Sequence, residues 1–355
     1  MKILSKVLSL IIVTFMIFSL TSNSNFTFAI SSLNVSDNKI ANVAVLLYSY
    51  DDISVLQLKQ LLENIQKNNN KVHFTFFDGK NNISLQYETF DSVLNDNYNL
   101  FILNLADVRE DTVKNFISKA KLKNTPLILL EIDPLLASKL SKDYNKAAFV
   151  TLDSKLTGTI EARILSNLWN TNRKAIDKNG DNILQYILLD GKANNPIAID
   201  RKNSAISELK NSGIATEQLA IVNANWLKEL AKNSIDSLFL QYNGKIEAII
   251  VNNDAMAIGA IEALQKYGYN KGDKSKNIAV VGIDGSPEAI ELINKGFMTG
   301  TVIIDQEIVS EALYTIGMNM INNINPIENT NYKLSDSEII IPTGFKEYTS
   351  MTKPE

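Results

Sequence analysis

From residue 42 onward, short apolar segments alternate with longer segments whose apolar residues recur at helical spacing. NVAVLLY at 42–48 precedes ISVLQLKQLLENIQ, where Leu58, Leu62 and Ile65 mark one helical face. The later apolar segments are KVHFTFF, NLFILNL, TPLILLEI, KAAFVTL, NILQYILLD, QLAIVN, KIEAIIV, KNIAVVGI and GTVII. Strands that are apolar nearly throughout and are separated by helices form parallel sheets covered on both faces. The sequence therefore predicts an α/β fold with parallel sheets.

The chain is long enough for two domains. It has 355 residues, of which 45% are hydrophobic and 21% are charged. We expect two doubly wound, Rossmann-like lobes, with the first crossing between them near 151–155. Helix boundaries are readable in SPEAIELINKG, where Ser286 is the expected N-cap, Pro287 the first helical residue and Gly296 the stop.

The first 29 residues are typical of a secretory signal peptide. Lys2 and Lys6 precede an apolar run at 7–20, and cleavage is expected after Ala29. The run is shorter than the roughly 20 residues that span a bilayer comfortably, although an uncleaved membrane anchor is the alternative. We therefore expect the mature protein outside the cytoplasmic membrane.

Charge and cysteine content exclude several classes of function. The net charge is −4 with mixed signs along the chain, so nucleic acid is not an expected partner. The absence of cysteine excludes disulfides, thiolate nucleophiles, cysteine-bound zinc and a lipid-modified cysteine. The single histidine, His73, lies in a predicted strand and is expected to be structural.

Polar and aromatic residues follow the carboxyl ends of several predicted strands, where ligands bind in doubly wound sheets. These residues are Tyr48, Asp52, Asn104, Arg201, Trp226, Asn253, Asp254 and Asp284. Planar carboxylate, amide and guanidinium groups suit sugar hydroxyls, and an indole packs against the C–H face of a sugar ring. For Asp52 and Asp254, a helix-capping role is the favoured alternative. Together the set indicates a polyhydroxylated neutral ligand.

The chain resembles the periplasmic galactose/glucose-binding proteins of sugar ABC transport and chemotaxis. The matching runs between residues 42 and 345 are LLYSYDD, ILNLAD, DYNKAAFVTLDSKLTG, DKNGDNILQYILLDG, GIATEQL, VNNDAMAIGAIEAL and GIDGSPEAIELINKGFMTGTV. The resemblance implies a type I periplasmic binding protein, with two lobes joined by three crossing segments that close on one sugar. On this basis we expect an N-terminal lobe of 42–152 and 304–338, and a C-terminal lobe of 153–303 and 339–350.

The resemblance also assigns sugar contacts and exposes four departures from the family pattern. The contacts fall on Tyr48, Asp52, Asn104, Arg201, Trp226, Asn253 and Asp284. Asn195 stands where the family has a histidine, Ile197 where it has an aspartate, and Ile304 where it has an asparagine. Ser54 or a neighbour replaces a stacking aromatic. Because each unpaired sugar hydroxyl costs about 1–3 kcal/mol, we expect weak glucose or galactose binding and a preference for a pentose or deoxy sugar.

The segment DKNGDNILQ predicts an ion-binding loop of EF-hand type. Its alternate positions are Asp177, Asn179, Asp181, Ile183 and Gln185, and Ile183 would contribute its backbone carbonyl. Position 12, normally a bidentate glutamate, is Leu188, so the loop alone lacks one ligand and a polar turn is the alternative. The resemblance supplies the missing carboxylate from Glu247 and implies a structural Ca²⁺ ion.

These observations predict an extracytoplasmic, monomeric binding protein that passes a monosaccharide to an ABC permease. A membrane-associated sugar sensor that docks on a chemoreceptor or sensor kinase is the alternative. A glycosidase would need two opposed carboxylates such as Asp52 and Asp284, but no further catalytic residues accompany them. A related repressor would need a helix-turn-helix segment, which the sequence lacks.

Overall fold

The computed structural model describes residues 40–242, 244–335 and 337–352. The expected leader at 1–29 lies outside the described residues. Within the described part of the chain, no helix is long and apolar enough to cross a membrane.

The strands coincide with the apolar segments of the sequence, and three short strands are added near the C-terminus. The strands are β1 (Ala41–Leu47), β2 (Val72–Asp78), β3 (Leu100–Asn104), β4 (Leu127–Leu130), β5 (Ala147–Thr151), β6 (Leu184–Asp190), β7 (Thr216–Asn223), β8 (Ala248–Val251), β9 (Ala279–Asp284), β10 (Gly300–Ile303), β11 (Lys333–Ser335), β12 (Glu338–Ile340) and β13 (Lys346–Thr349).

The helices fill the intervals between the strands. They are α1 (Ile53–Asn68), α2 (Ile83–Val93), α3 (Glu110–Leu122), α4 (Pro134–Leu140), α5 (Ser154–Ile176), α6 (Pro196–Asn211), α7 (Lys228–Gln241), α8 (Asp254–Lys266), α9 (Pro287–Asn294) and α10 (Gln306–Ile321), with a short 3₁₀ helix at Lys274–Lys276. Helix α9 begins after Ser286, whose side chain accepts from the Ala289 amide, as the sequence predicts.

The described residues form two sheets, one in each lobe. The first has the order β11-β12-β5-β4-β3-β1-β2, and the second has the order β13-β10-β9-β8-β6-β7. All five residues of β3 and all seven of β6 are buried, as expected for strands covered by helices on both faces. The prediction of two doubly wound lobes is confirmed.

The sheets are mostly rather than purely parallel. Strand β11 runs antiparallel to β12, and β13 runs antiparallel to β10. Both are edge strands of three or four residues, and all of β11 is exposed. Because an exposed edge strand needs no continuous apolar sequence, hydrophobic pattern alone did not reveal them.

The chain crosses between the lobes three times: between Thr151 and Ser154, between Ile303 and Gln306, and between Ile340 and Lys346. The third crossing differs from the expected boundary at 338/339, which falls inside β12. Strand β12 pairs in parallel with β5 of the first sheet, so the first lobe extends through residue 340.

Candidate ligand-binding cavity

A cavity of about 110 Å³ is lined by residues of both lobes. This volume accommodates several water molecules. Most of its polar lining residues follow the carboxyl ends of parallel strands, the edge at which doubly wound sheets bind ligands. All eight predicted sugar contacts line it: Tyr48, Asp52, Asn104, Asn195, Arg201, Trp226, Asn253 and Asp284. Their contact with a sugar stays a prediction.

Asp52 combines a capping role with a position on the cavity wall. Its Oδ1 accepts from the Ser54 amide at 2.8 Å and from the Ser54 hydroxyl at 2.7 Å, which caps α1. Its Oδ2 accepts a short hydrogen bond from the Tyr48 hydroxyl. Burial, followed by the charge of Asp52, raises the pKa of Tyr48 well above its ordinary value. Tyr48 is therefore a neutral donor that holds the Asp52 carboxylate in place.

Arg201 is a buried cation of the second lobe that lines the cavity. It lies in the second turn of α6, and its Nη1 donates to the Asn252 carbonyl oxygen at 2.6 Å. The same atom lies 3.9 Å from Asp284 Oδ1, and the guanidinium lies 5.9 Å from the centre of the Trp226 ring. Arg201 is 7% exposed, and its Nε has no hydrogen-bond partner among the described residues. Arg201 therefore has one buried guanidinium N–H group without a partner among the described residues.

The Trp226 ring packs so closely on Gly191 that no larger residue fits at position 191. A Cβ atom on Gly191 would lie 2.3 Å from two ring atoms of Trp226. Trp226 itself has a φ of 67°, in the left-handed region, which turns the chain after β7. Gly191 follows β6 directly, so the ring packs against the end of the neighbouring strand.

The three predicted contact asparagines that line the cavity make different hydrogen bonds. Asn195 and Asn253 use their Oδ1 atoms to cap α6 and α8, accepting from Ile197 and Met256 amides respectively. Asn104 makes no cap: its Nδ2 donates to Glu131 Oε2 at 3.3 Å. Its Oδ1 is buried without a hydrogen-bond partner among the described residues. Asn104 thus supplies an unpaired acceptor on the first lobe, and Arg201 supplies an unpaired donor on the second, within the lining of one cavity.

Two charged residues on the cavity were missed by sequence reasoning. Glu131 directly follows β4, and Lys192 lies two residues after β6. Glu131 obeys the same strand-end rule as the predicted residues, but in TPLILLEI it resembles the end of the strand itself. Lys192 is separated from its strand by Gly191 and resembles an ordinary loop lysine.

The departures from the family pattern also line the cavity. Ile197, Ile304 and Ser54 all contribute to its wall. Ile304 is 4% exposed, so it replaces a polar position with a buried apolar one. The Ser54 hydroxyl is used by Asp52. The cavity is therefore polar on the side of Arg201 and Asp284 and apolar at two positions where the family pattern is polar.

Five of the six predicted ion ligands are linked to one another by hydrogen bonds in the second lobe: Asn179, Asp181, Ile183, Gln185 and Glu247. Glu247 reaches this loop from the start of β8, and its two oxygens accept from the Lys178 amide at 2.7 Å and the Gln185 amide at 3.1 Å. Asp181 Oδ2 accepts from Asn179 Nδ2 at 2.9 Å and from Gln185 Nε2 at 2.8 Å. The pairing of Glu247 with this distant loop agrees with the predicted arrangement.

The chemistry of these residues suits a hard cation, although the carboxylates do not form a compact cluster. Among the described residues, no three His, Cys, Asp or Glu side chains converge closely enough to hold a metal. Asp177 instead accepts from the Gly180 and Asn182 amides. All available ligand atoms are oxygens, which is the set that Ca²⁺ prefers. The residues fit calcium by donor type, and calcium binding stays a prediction.

Comparison with known proteins places this architecture in a family. Residues 43–324 match the model of the periplasmic binding protein domain. The chain is 31% identical over 318 residues to the D-galactose/methyl-galactoside binding periplasmic protein MglB of Haemophilus influenzae, covering 89% of this chain and 92% of that protein.

Solved structures share the fold. An ABC transporter periplasmic solute binding protein from Actinobacillus succinogenes with bound D-allose superposes with a TM-score of 0.69 at 21% identity, covering 88% of this chain and 98% of that one. A solute binding protein from Bacillus halodurans with bound myo-inositol gives a TM-score of 0.69 at 19% identity, covering 89% and 96%. With the match over most of its length, this chain belongs to the periplasmic binding protein family, as its sequence predicted.

Proposed function

We propose that the protein binds a monosaccharide in the cavity between its lobes and delivers it to a sugar ABC transporter. The main observation behind this proposal is that two buried polar atoms, one on each lobe, have no hydrogen-bond partner among the described residues. These atoms are Asn104 Oδ1 and Arg201 Nε. Buried polar groups normally have partners, so an unpaired donor and an unpaired acceptor on one cavity favour a ligand with hydroxyl groups. A hydroxyl satisfies either atom because it both donates and accepts.

The surrounding residues add support for a sugar. Trp226 presents an indole ring next to Arg201 and Asp284, which combines an apolar surface with planar polar groups. The relatives named above include a galactose-binding protein and a structure with D-allose. In this proposal the ligand lies between two lobes joined by crossing segments, so ligand contacts on both sides would favour the closed form.

The residues that depart from the family pattern narrow the class of sugar that we propose as the ligand. Ile197 and Ile304 cannot pair with the hydroxyls that an aspartate and an asparagine would serve, at about 1–3 kcal/mol for each hydroxyl left unpaired. The preferred ligand therefore has fewer hydroxyl groups near these side chains than glucose or galactose, as in a pentose or a deoxy sugar.

Binding rather than catalysis follows from the way the acidic residues are used. Asp52 accepts from Tyr48 and Ser54, and Asp284 lies beside Arg201. These contacts give both carboxylates a role in holding neighbouring side chains, which favours binding over the acid and base pair of a glycosidase. The protein acts as a monomer outside the cytoplasmic membrane, the location of its family. In the alternative, the protein binds the same ligand but then docks on a membrane sensor instead of a permease. Isolation of the membrane partner distinguishes these two functions.

The loop at 177–185 holds a structural calcium ion in this proposal. Asp177, Asn179, Asp181, Gln185 and Glu247 supply side-chain oxygens, and Ile183 supplies its carbonyl. When bound, the ion neutralises the loop carboxylates and ties the start of β8 to the loop before β6. Its role is stability of the second lobe, separate from the ligand cavity.

The test is a melting-temperature screen followed by titration calorimetry, because a ligand that binds only the folded state raises the melting temperature. The panel contains galactose, glucose, allose, arabinose, xylose and 6-deoxy sugars. We expect at least one pentose or deoxy sugar to bind more tightly than glucose. Arg201→Lys should weaken that binding about tenfold or more, since lysine lacks the planar fork of guanidinium donors. Arg163→Lys, at the surface of α5, is the matched control. Absence of binding by every sugar contradicts the proposal.

A further inference from the structure

Glu131 is an acidic group on the cavity wall that forms no close ion pair among the described residues. It directly follows β4, and its Oε2 accepts a hydrogen bond from Asn104 Nδ2 at 3.3 Å. Among ion pairs of the described residues, none within 4.0 Å involves Glu131. The resemblance assigned no ligand contact to this position, and the proposed sugar contacts do not use it.

The other carboxylates on the cavity are matched by nearby donors. Asp52 accepts from the Tyr48 hydroxyl and from Ser54, and Asp284 lies 3.9 Å from Arg201. Glu131 receives only a neutral amide. Its carboxylate therefore receives fewer hydrogen bonds than that of Asp52, and unlike that of Asp284 it lies within ion-pair distance of no cation among the described residues.

The two cations on the cavity are already engaged. Arg201 donates to the Asn252 carbonyl and faces Asp284. Lys192 donates to the Ala106 carbonyl oxygen and to Asn81 Oδ1 at 3.4 Å. Three carboxylates and two engaged cations give the wall an excess of negative charge. A charged group withdrawn from water without a partner is costly, so this excess favours an incoming cation.

The electrostatics of Glu131 agree with its geometry. Burial raises the pKa of Glu131, Arg201 opposes that shift, and the charge of Asp52 adds to it. A positive charge placed at the carboxylate would stabilise its ionised form.

The φ of 60° at Glu131 lies in the left-handed region, which is uncommon for a glutamate and sets the direction of the chain as it leaves β4.

We propose that the cavity selects a monosaccharide that carries a protonated amine, with the Glu131 carboxylate as the amine's partner. This inference rests on the proposed sugar-binding function and names the ligand class more closely. The ammonium donates a charge-assisted hydrogen bond to Glu131, while the remaining hydroxyls meet Asn104 and Arg201.

The experiment is calorimetry of the full mature protein at neutral pH with three kinds of probe. The first set is the 2-amino, 3-amino and 6-amino derivatives of glucose, galactose and allose. The second set is their neutral parents, and the third is the N-acetyl forms, which lack the charge. We expect at least one amine to bind roughly tenfold more tightly than both its parent and its N-acetyl form, and this preference to weaken with added salt and at acidic pH, where Glu131 is protonated.

Glu131→Gln tests the assigned partner, because glutamine keeps the shape and one acceptor oxygen for Asn104 but removes the charge. We expect this variant to melt cooperatively, to bind the neutral parents, and to lose the preference for the amine. Glu88→Gln, at the exposed face of α2, should leave the preference intact.

The outcomes separate this inference from the function on which it rests. If neutral sugars bind and no amine binds more tightly than its parent, the amine inference is wrong and the sugar-binding function stands. Retention of the full amine preference in Glu131→Gln also overturns it. If neither amines nor neutral sugars bind, both proposals fail.

Discussion

Lys192 of the second lobe donates a hydrogen bond to the backbone carbonyl oxygen of Ala106 in the first lobe. The same ammonium donates to Asn81 Oδ1 at 3.4 Å. Both acceptors lie in loops that follow strands of the first sheet. Burial lowers the pKa of Lys192, and the charge of Asp107 opposes this shift. One side chain that lines the cavity therefore joins the two lobes.

Replacement of Lys192 with methionine should shift the protein toward an open form. The change removes the contact between the lobes but keeps a long side chain. A hydrogen bond from a charged group contributes about 1.5–3 kcal/mol, and partial exposure places Lys192 toward the lower end of that range. We expect a larger radius of gyration by X-ray scattering without ligand and about tenfold weaker ligand binding, because a smaller fraction is closed. Lys210→Met, on the exposed face of α6, is the control. Equal scattering from both variants argues against the lobe-joining role.

Restoration of a polar side chain at residue 304 should improve binding of neutral hexoses. Ile304 is 4% exposed and lines the cavity, so Ile304→Asn places an amide where a sugar hydroxyl lacks a partner. We expect galactose or glucose affinity to rise by about 1–3 kcal/mol. The unliganded variant should lose a similar amount of unfolding free energy, because the amide is buried without a partner. Calorimetry and urea unfolding measure the two effects. Ile199→Asn, an exposed position on α6, is the control, and an unchanged hexose affinity in Ile304→Asn counts against a ligand role for residue 304.

Calcium should stabilise the protein through Glu247. Burial raises the pKa of Glu247, and the Gln185 and Lys178 amides oppose this shift, so an added cation would favour its ionised form. At a calcium concentration one hundred times Kd, the expected gain in unfolding free energy is about 2.7 kcal/mol. Glu247→Gln and Asp177→Ala should abolish that gain, whereas Glu217→Gln on the exposed part of β7 should retain it. Calorimetric melting with calcium, with magnesium and with chelator provides the measurement. An unmodified protein that melts identically with calcium and with chelator has no such site.

Stability should depend on pH through Asp254. Asp254 is 1% exposed, and burial raises its pKa to about 6, although the Thr301 hydroxyl and the Ser286 amide donate to it. Because the folded-state pKa exceeds the unfolded value, the stabilising contribution is fully present below pH 3.8 and is lost as pH rises through about 6. The loss is at most about 3 kcal/mol.

Asp254→Asn tests this pH dependence. The asparagine oxygen can accept from the Ser286 amide, and its amide can donate to the Thr301 hydroxyl oxygen, so the local bonds persist. We expect urea unfolding between pH 4 and 7 to show a flatter profile in this variant than in the unmodified protein. Asp143→Asn, at an exposed loop, should leave the profile unchanged. A profile in Asp254→Asn that matches the unmodified protein assigns the pH dependence to other groups, such as Asp284, whose pKa burial also raises.

Much of the cavity was predictable from the sequence because it follows from strand ends. Tyr48, Asn104, Asn253 and Asp284 follow or end apolar strands, and the carboxyl ends of parallel strands share one edge of a sheet. The structure brings them to one cavity for that reason. Glu131 obeys the same rule, but only the observed end of β4 at Leu130 shows that its side chain has left the strand.

The sequence by itself determined the order of strands and helices, the helix caps and the edge on which polar residues gather, because hydrophobic periodicity and capping are local properties. Only the tertiary structure decided which groups meet across that edge. Lys192 contacts Ala106, 86 residues away, and Glu131 contacts Asn104 from a neighbouring strand. The first contact depends on the relative orientation of the two lobes, and the second depends on which strands are neighbours in the first sheet. No local sequence pattern encodes either of these.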